Sequence, residues 1–440
     1  MQKCCNMNFK IHRGTREIGG SCVEVWTSKA RIVIDIGMPL VERDGSEFDF
    51  EKYARKDTNE LVRTGVLPDI KGFYTKDTPQ VDGILISHPH IDHYGFGKFV
   101  HPHIRYYMGE ATHKLIELTC RFTPQTSNIK NWTYFEKSVP FLIEDMTITP
   151  FWMDHSAFDA YAFLIESNGK SLFYSGDFRG HGRKERVFKW FTHNAPKNVD
   201  YLLLEGTQIE RHTQNDRKET DIEEELVSIF SEKGRLNLLY ASGQNIDRLV
   251  SVYRACKRTG KTFVVDVYTA CILKEISVFS SIPYPSNSFK EIRVFYPYFL
   301  SKRIASRGDE KLLYQFRRYK ITKEEISKNK DSIVMLVRPS MQVDLERIQG
   351  IEGGNLVYSL WEGYLRNEKT NSFVDYLKAR HFQVTKIHTS GHADIGTLGK
   401  MTDAISPKHI VPIHTFSGND YQKYLNYPII RAKDGETIRI

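Results

Sequence analysis

The run Ser87-His88-Pro89-His90-Ile91-Asp92-His93 places four metal-ligating side chains within six residues, directly after the apolar, strand-like segment Gly83-Ile84-Leu85-Ile86. A buried strand that ends in a ligand-bearing loop requires a rigid sheet to hold the ligands, so this stretch constrains fold and chemistry together. Residues two apart on an extended turn project to the same side. His88 and His90 can therefore share one ion, while Asp92 and His93 are displaced toward a neighbouring position. A histidine-rich surface loop is the alternative, and the preceding strand argues against it. Histidines with a carboxylate suit zinc first, with manganese or iron as substitutes.

The remainder of the chain is compatible with such a scaffold. Strand-like apolar runs recur at Ile32 to Ile36, Ala162 to Ile165, Leu172 to Tyr174 and Tyr201 to Leu204, and alternate with helical patterns, which favours an α/β class. With 440 residues and 40% hydrophobic content, the chain can bury two substantial cores. Leu238-Leu239-Tyr240, a helix from near Ile246 to Arg258, and Thr262-Phe263-Val264-Val265 predict a strand–helix–strand unit with the two strands paired in parallel. The N-terminus lacks a long apolar stretch and no segment has the apolar length to span a bilayer, so the expectation is a cytoplasmic protein without a membrane partner. Cys4, Cys5, Cys22, Cys120, Cys256 and Cys271 form no Cys-x-x-Cys pair and are expected to be reduced.

Further candidate ligands follow in order: His155 in Met153-Asp154-His155-Ser156 and Asp177 in Tyr174-Ser175-Gly176-Asp177-Phe178. With the His88 to His93 run, this order resembles the metallo-β-lactamase superfamily signature. In that family Asp35, in Arg31-Ile32-Val33-Ile34-Asp35-Ile36-Gly37, would orient ligands from behind without binding metal. Leu203-Leu204-Glu205-Gly206-Thr207, His388-Thr389-Ser390-Gly391-His392-Ala393 and Val411-Pro412-Ile413-His414 are similar to motifs A, B and C of the β-CASP nucleases. The form of motif B and the Thr15-Arg16-Glu17-Ile18-Gly19-Gly20 loop are similar to ribonuclease J. His414 is followed by Thr415-Phe416 where that family has Gly-Glu, and the ribonuclease J C-terminal domain is not seen before Ile440.

The resemblance implies a four-layer αββα metallo-β-lactamase domain over 1–207 and 382–440, interrupted by an α/β β-CASP domain over 208–381. It assigns His88, His90 and His155 to one zinc, and Asp92, His93 and His414 to a second, with Asp177 bridging; two Zn2+ are implied, Mn2+ being the substitute. Hydroxide activated at the metal pair would hydrolyse a phosphodiester, with Asp92 in the catalytic set. His392 would act as general acid or transition-state donor, oriented by Glu205. Ser390 and Gly391, with Arg338 and Ser340 from Val337-Arg338-Pro339-Ser340, would bind a terminal phosphate.

Net charge is +8, and Lys290 to Lys330 carries twelve basic against five acidic residues. That segment interleaves Phe295, Tyr296, Tyr298, Phe299, Tyr314, Phe316 and Tyr319 with eight Lys and Arg, a pattern suited to neutralising phosphates and stacking bases, or alternatively a solvated helix with core aromatics. The combined expectation is a zinc-dependent ribonuclease acting on single-stranded RNA, by 5′ exonuclease or endonuclease attack or both. A metallohydrolase of DNA or a small phosphodiester, and a non-catalytic RNA-binding subunit, are the alternatives. Assembly is open between a monomer, a homodimer and dependence on a partner.

Overall fold

The computed structural model describes residues 7–42, 46–53, 55–210 and 217–440. The chain divides into two compact units, one comprising 1–117, 125–214 and 391–440, the other 118–124 and 215–390.

The first unit contains two sheets. One has seven strands in the order Thr437–Arg439, Asn8–Arg13, Cys22–Trp26, Arg31–Ile34, Gly83–Leu85, Tyr106–Met108, Trp132–Tyr134. The other has six, in the order His409–Ile413, Tyr201–Glu205, Lys170–Tyr174, Ala160–Ser167, Met146–Met153, Phe141–Ile143. Alternation along the strands explains how the second sheet is covered on both faces. Leu203, Tyr174 and Val411 join Ile32, Ile34 and Leu85 of the first sheet in one buried cluster, so the sheets pack face to face. Leu202, Leu204, Phe173 and Ile410 point the other way, into a cluster with Phe188 and Phe191 of helix Glu185–Asn194 and Leu398 and Met401 of helix Ile395–Ile405. Pro412, which has no N–H to give a ladder, sits on the edge strand His409–Ile413, where one side needs no donor.

The second unit is built on one parallel sheet in the order Ile292–Phe295, Thr262–Asp266, Ile333–Leu336, Asn237–Tyr240, Asn355–Tyr358, Gln383–Lys386. The helix expected in the strand–helix–strand unit is present at Ile246–Thr259, ended by Gly260 in the left-handed conformation. Its flanking strands are parallel but not paired: Ile333–Leu336 lies between Asn237–Tyr240 and Thr262–Asp266 and bonds to both. The wholly apolar Ile333-Val334-Met335-Leu336 is buried throughout, as a central parallel strand must be, and so takes the middle place. Cys22, Cys120, Cys256 and Cys271 are free thiols; Cys4 and Cys5 lie outside the described residues. Among the described residues no helix is long and apolar enough to cross a membrane.

Candidate metal centre

Every residue of this centre belongs to the first unit. Strand ends carry the side chains: Asp35 follows Arg31–Ile34, the His88 loop follows Gly83–Leu85, His155 follows Met146–Met153, and Asp177 follows Lys170–Tyr174. Glu205 ends Tyr201–Glu205 and His414 follows His409–Ile413 directly. The loop over the centre is close to its floor. A Cβ on Gly37 would stand 1.7 Å from the Asp92 carbonyl oxygen, so only glycine fits there.

The ligand candidates gather into overlapping groups. His88, His90 and His155 converge, with His90 Nδ1 3.1 Å from His88 Nε2 and 3.2 Å from His155 Nε2. Asp92, His93, Asp177 and His414 form the second group, with His93 Nε2 3.1 Å from Asp177 Oδ2 and His414 Nε2 3.3 Å from Asp92 Oδ2. Asp177 adjoins both, its Oδ2 also lying 3.7 Å from His88 Nε2. Glu205 and His392 extend the second group: His392 Nδ1 is 3.5 Å from Glu205 Oε2 and 3.8 Å from Asp177 Oδ2.

The electrostatics favour a bound cation. Burial, with the neighbouring imidazoles, drives the pKa of His88 and His155 well below the ordinary value, and burial holds that of His90 at about 4. Three neutral rings thus turn lone pairs toward one point. Burial opposes the charged form of Asp92, yet the His414 hydrogen bond and the His93 charge outweigh it and hold the carboxyl at about 2. Asp177 is likewise held low against burial by His414, His93 and His392, and its Oδ1 is buried without a hydrogen-bond partner among the described residues. An orphaned carboxylate oxygen beside converging imidazoles is a donor set that a divalent cation satisfies.

The supporting shell sets which ring nitrogen faces inward. Asp35, at φ 58°, accepts from the Ser87 amide at 2.8 Å, the Ser87 hydroxyl at 2.7 Å, the Tyr174 hydroxyl at 2.8 Å and His93 Nδ1 at 2.7 Å. Asp35 keeps a proton on His93 Nδ1; Asp177 and Asp35 together raise the pKa of this ring against burial, so a cation at the centre would take the place of the proton on Nε2. His155 Nδ1 likewise donates to the Gly391 carbonyl at 2.6 Å, and Lys184 Nζ donates to the His155 carbonyl at 2.8 Å. Glu205 accepts the amides of Thr207 and Ala393, each at 3.0 Å, which fixes it beside His392. His414 differs from the other rings. The Gly19 N–H and Asp92 Oδ2 both meet its Nε2, at 2.9 and 3.3 Å, so that nitrogen accepts from the first or, protonated, donates to the second, while Nδ1 meets the Thr207 hydroxyl at 2.9 Å and stands 3.8 Å from Asp177 Oδ1. This distinctive environment coincides with the departure at Thr415-Phe416. The sequence motifs do not by themselves single out Tyr174, Thr207 or Lys184. Tyr174 adjoins Ser175-Gly176-Asp177 and Thr207 lies within motif A, so both are within reach of a motif reading, whereas nothing in the sequence marks Lys184.

Of the four residues expected to hold a terminal phosphate, Ser390 and Gly391 lie on the loop that carries His392, Gly391 giving its carbonyl to His155. Arg338 and Ser340 belong to the second unit. Arg338 forms an ion pair with buried Asp266 and lies over the Tyr268 ring at 5.8 Å; Ser340 is exposed in the turn Pro339–Met341.

Residues 68–232 match the family described as the beta-lactamase superfamily domain. An RNase J-like protein from Methanocaldococcus jannaschii is 24% identical over 282 residues, covering 59% of this chain and 58% of that protein. Ribonuclease J from Helicobacter pylori is 23% identical over 420 residues, covering 91% of this chain and 55% of the relative. The chain thus spans somewhat over half the length of the curated relatives it matches. The crystal structure of a protein of unknown function from Enterococcus faecalis V583 shares the fold, with TM-score 0.79 and 21% identity over 99% of this chain and 100% of that one. The strand-end histidines and aspartates, the two facing sheets and these matches make the chain similar to the metallo-β-lactamase superfamily and, within it, to ribonuclease J.

Proposed function

We propose that this chain is a zinc-dependent phosphodiesterase of β-CASP type that hydrolyses single-stranded RNA, from a 5′ end, internally, or both. The observation that carries this reading is that Asp177 of the second ligand group also adjoins His88 of the all-histidine group, with His392 and Glu205 beside it. His88, His90 and His155 would hold one ion, and Asp92, His93 and His414 the other, with Asp177 between. Divalent ions there supply the Lewis acidity that makes water nucleophilic at neutral pH and offsets charge growing on a phosphodiester.

The chain's own groups do the rest. Asp35 and the Gly391 carbonyl keep the protons of His93 and His155 on Nδ1, so both rings stay oriented as donors of Nε2 lone pairs. His392, whose Nδ1 stands beside Glu205 and Asp177, would protonate the departing oxygen. Glu205 holds that ring from the side and, through the Ala393 amide, holds its backbone. Ser390 and the Gly391 amide would meet a terminal phosphate.

The test is incubation of the purified chain, with zinc or manganese and with chelator, on 5′-phosphorylated, 5′-hydroxyl and circular RNA, single-stranded DNA and a small phosphodiester. Chelator-sensitive mononucleotide release from 5′-phosphorylated RNA would mark an exonuclease, and cutting of circles an endonuclease. Equal turnover of DNA, or turnover of the small ester alone, overturns the RNA assignment.

A further inference from the structure

The basic, aromatic segment of the second unit separates, in three dimensions, into residues with structural employment and residues without it. Phe295 and Phe316 are buried, at 3% and 2% exposure, and belong to the core. Arg293 donates to the carbonyls of Tyr319 and Lys320, Arg303 to that of Phe122, and Arg307 to those of Cys120 and Arg121. Tyr319 gives its hydroxyl to Asn287. Besides half-buried Tyr296 and exposed Lys320, what remains is Tyr298, Phe299 and Tyr314, at 48%, 50% and 67% exposure, with Lys302, Lys311, Arg317 and Arg318. These four cations are exposed and form no ion pair among the described residues.

The leftover residues are patterned. On helix Tyr298–Ser306, Lys302 stands one turn from both Tyr298 and Phe299. On helix Glu310–Tyr314, which packs on the first, Lys311 stands one turn from Tyr314, and Arg317 and Arg318 follow in the next turn. Residues three and four apart share a helix face with Cβ atoms about 5–6 Å apart. Each helix therefore presents an exposed ring beside an uncompensated cation. Asp309 is paired with Arg121, and Asp344, which accepts the Tyr298 amide at 3.0 Å, is paired with Lys323, so on these two helices only Glu310 opposes the field.

We propose that this face binds single-stranded nucleic acid, bases stacking on Tyr298, Phe299 and Tyr314 while Lys302, Lys311, Arg317 and Arg318 neutralise phosphates. A polyanion without bases would need no exposed rings, and a duplex would hide its base faces from them. The proposal rests on the ribonuclease reading only in making RNA the natural ligand; the dock itself needs no hydrolysis.

The experiment is fluorescence anisotropy with a labelled 12-mer of uridylate in chelator, where cleavage cannot contribute, against a 12-mer of thymidylate, a duplex and polyglutamate. Three variants are compared with the native chain: Lys302→Ala/Lys311→Ala/Arg317→Ala/Arg318→Ala; Tyr298→Ala/Phe299→Ala/Tyr314→Ala; and, with equal charge removed elsewhere, Lys233→Ala/Lys257→Ala/Lys369→Ala/Lys400→Ala. The first should weaken single-strand binding at least tenfold and flatten the logarithmic salt dependence by about 0.7 for each phosphate no longer neutralised. The second should weaken binding at least tenfold with the salt dependence kept, and the third should change it less than threefold. Binding of both 12-mers with failure to cleave RNA would leave the dock standing and overturn only the nuclease reading. Equal affinity for duplex or polyglutamate, or equal losses in the first and third variants, overturns the dock.

Discussion

His155 donates its Nδ1 proton to the backbone carbonyl of Gly391, 2.6 Å away, so the loop carrying His392 is tied to the ring that completes the all-histidine group. Two residues on, the Ala393 amide is bound by Glu205, and His392 is thereby held between two anchors. A Cβ on Gly391 would meet Ser156 Oγ at 2.7 Å and Ser156 Cβ at 3.3 Å. Gly391→Ala should therefore weaken metal binding about 10–100-fold, the usual cost of disturbing a ligand's partner. Ser156→Gly opens that space, so the double variant should recover most of the loss in a calorimetric titration. A double variant as weak as the single one would mean that the clash is not the cause.

Asp177 belongs to the second ligand group and stands 3.7 Å from His88 of the first, and its Oδ1 has no hydrogen-bond partner among the described residues. Asp177→Asn keeps the shape but offers a neutral amide at the most charge-demanding point. Bound metal, measured by elemental analysis, should fall from about two ions per chain to one or fewer, with hydrolysis lowered by at least about 10³-fold. Retention of two ions would remove Asp177 from its bridging place.

Behind these ligands, Asp35 accepts four hydrogen bonds in a fully buried position. Asp35→Asn presents an NH2 to at least one of those donors. It should cost about 1.5–3 kcal/mol of stability, the scale of a charge-assisted bond, and should also lower metal affinity by freeing the His93 ring. Thermal melting with and without zinc separates the two effects. An unchanged melting temperature in the metal-free protein would argue against the first.

The metal centre is legible in the sequence to the extent that it is local. His88, His90, Asp92 and His93 announce themselves because they fall in one loop after one strand. Glu205, His392 and His414 are single residues scattered across more than two hundred positions, and only a resemblance joins them. Their convergence depends on adjacent strands ending on one side, a property of sheet order that spacing does not encode. The same gap explains the misplaced strand pair in the second unit: nothing in Asn237–Tyr240 or Thr262–Asp266 announces that Ile333–Leu336 comes between them. It explains also why Phe295 and Tyr298, three residues apart, read alike as aromatics although one is core and the other exposed.

Acid sensitivity should have a component away from the metal. Glu24 on strand Cys22–Trp26 meets His12 Nε2 at 2.7 Å and Arg31 Nε at 2.5 Å. Burial works against its charge, but these hydrogen bonds outweigh it and hold the carboxyl below its ordinary range. A group depressed in the folded state stabilises above its unfolded pKa of about 4.3, and that stability is lost as pH falls through the lower folded value. Glu24→Gln should therefore cost about 1.5 kcal/mol near pH 7 and progressively less below about pH 4. Denaturant midpoints for both proteins across that interval measure it; a constant difference at all pH values would show that packing, not charge, is responsible.

In the second unit the corresponding buried charge is Arg248, fully enclosed in helix Ile246–Thr259. Its Nε and Nη2 meet Glu219 at 3.2 and 3.1 Å, and its Nη1 reaches the Ser359 hydroxyl and the Ile387 carbonyl, the latter at 3.2 Å. Ser359 and Ile387 directly follow the strands Asn355–Tyr358 and Gln383–Lys386, so one guanidinium ties a helix to two strand ends. Glu219→Gln leaves that cation without its counter-charge and should cost about 3–5 kcal/mol, whereas Glu219→Gln/Arg248→Met removes the stranded charge and should cost less than the single change. Because two units need not unfold together, the suitable readout is amide hydrogen exchange in helix Ile246–Thr259. Protection should fall most in the single variant. If instead the double variant exchanges fastest, the arginine's bonds to the strand ends contribute more than its unpaired charge costs.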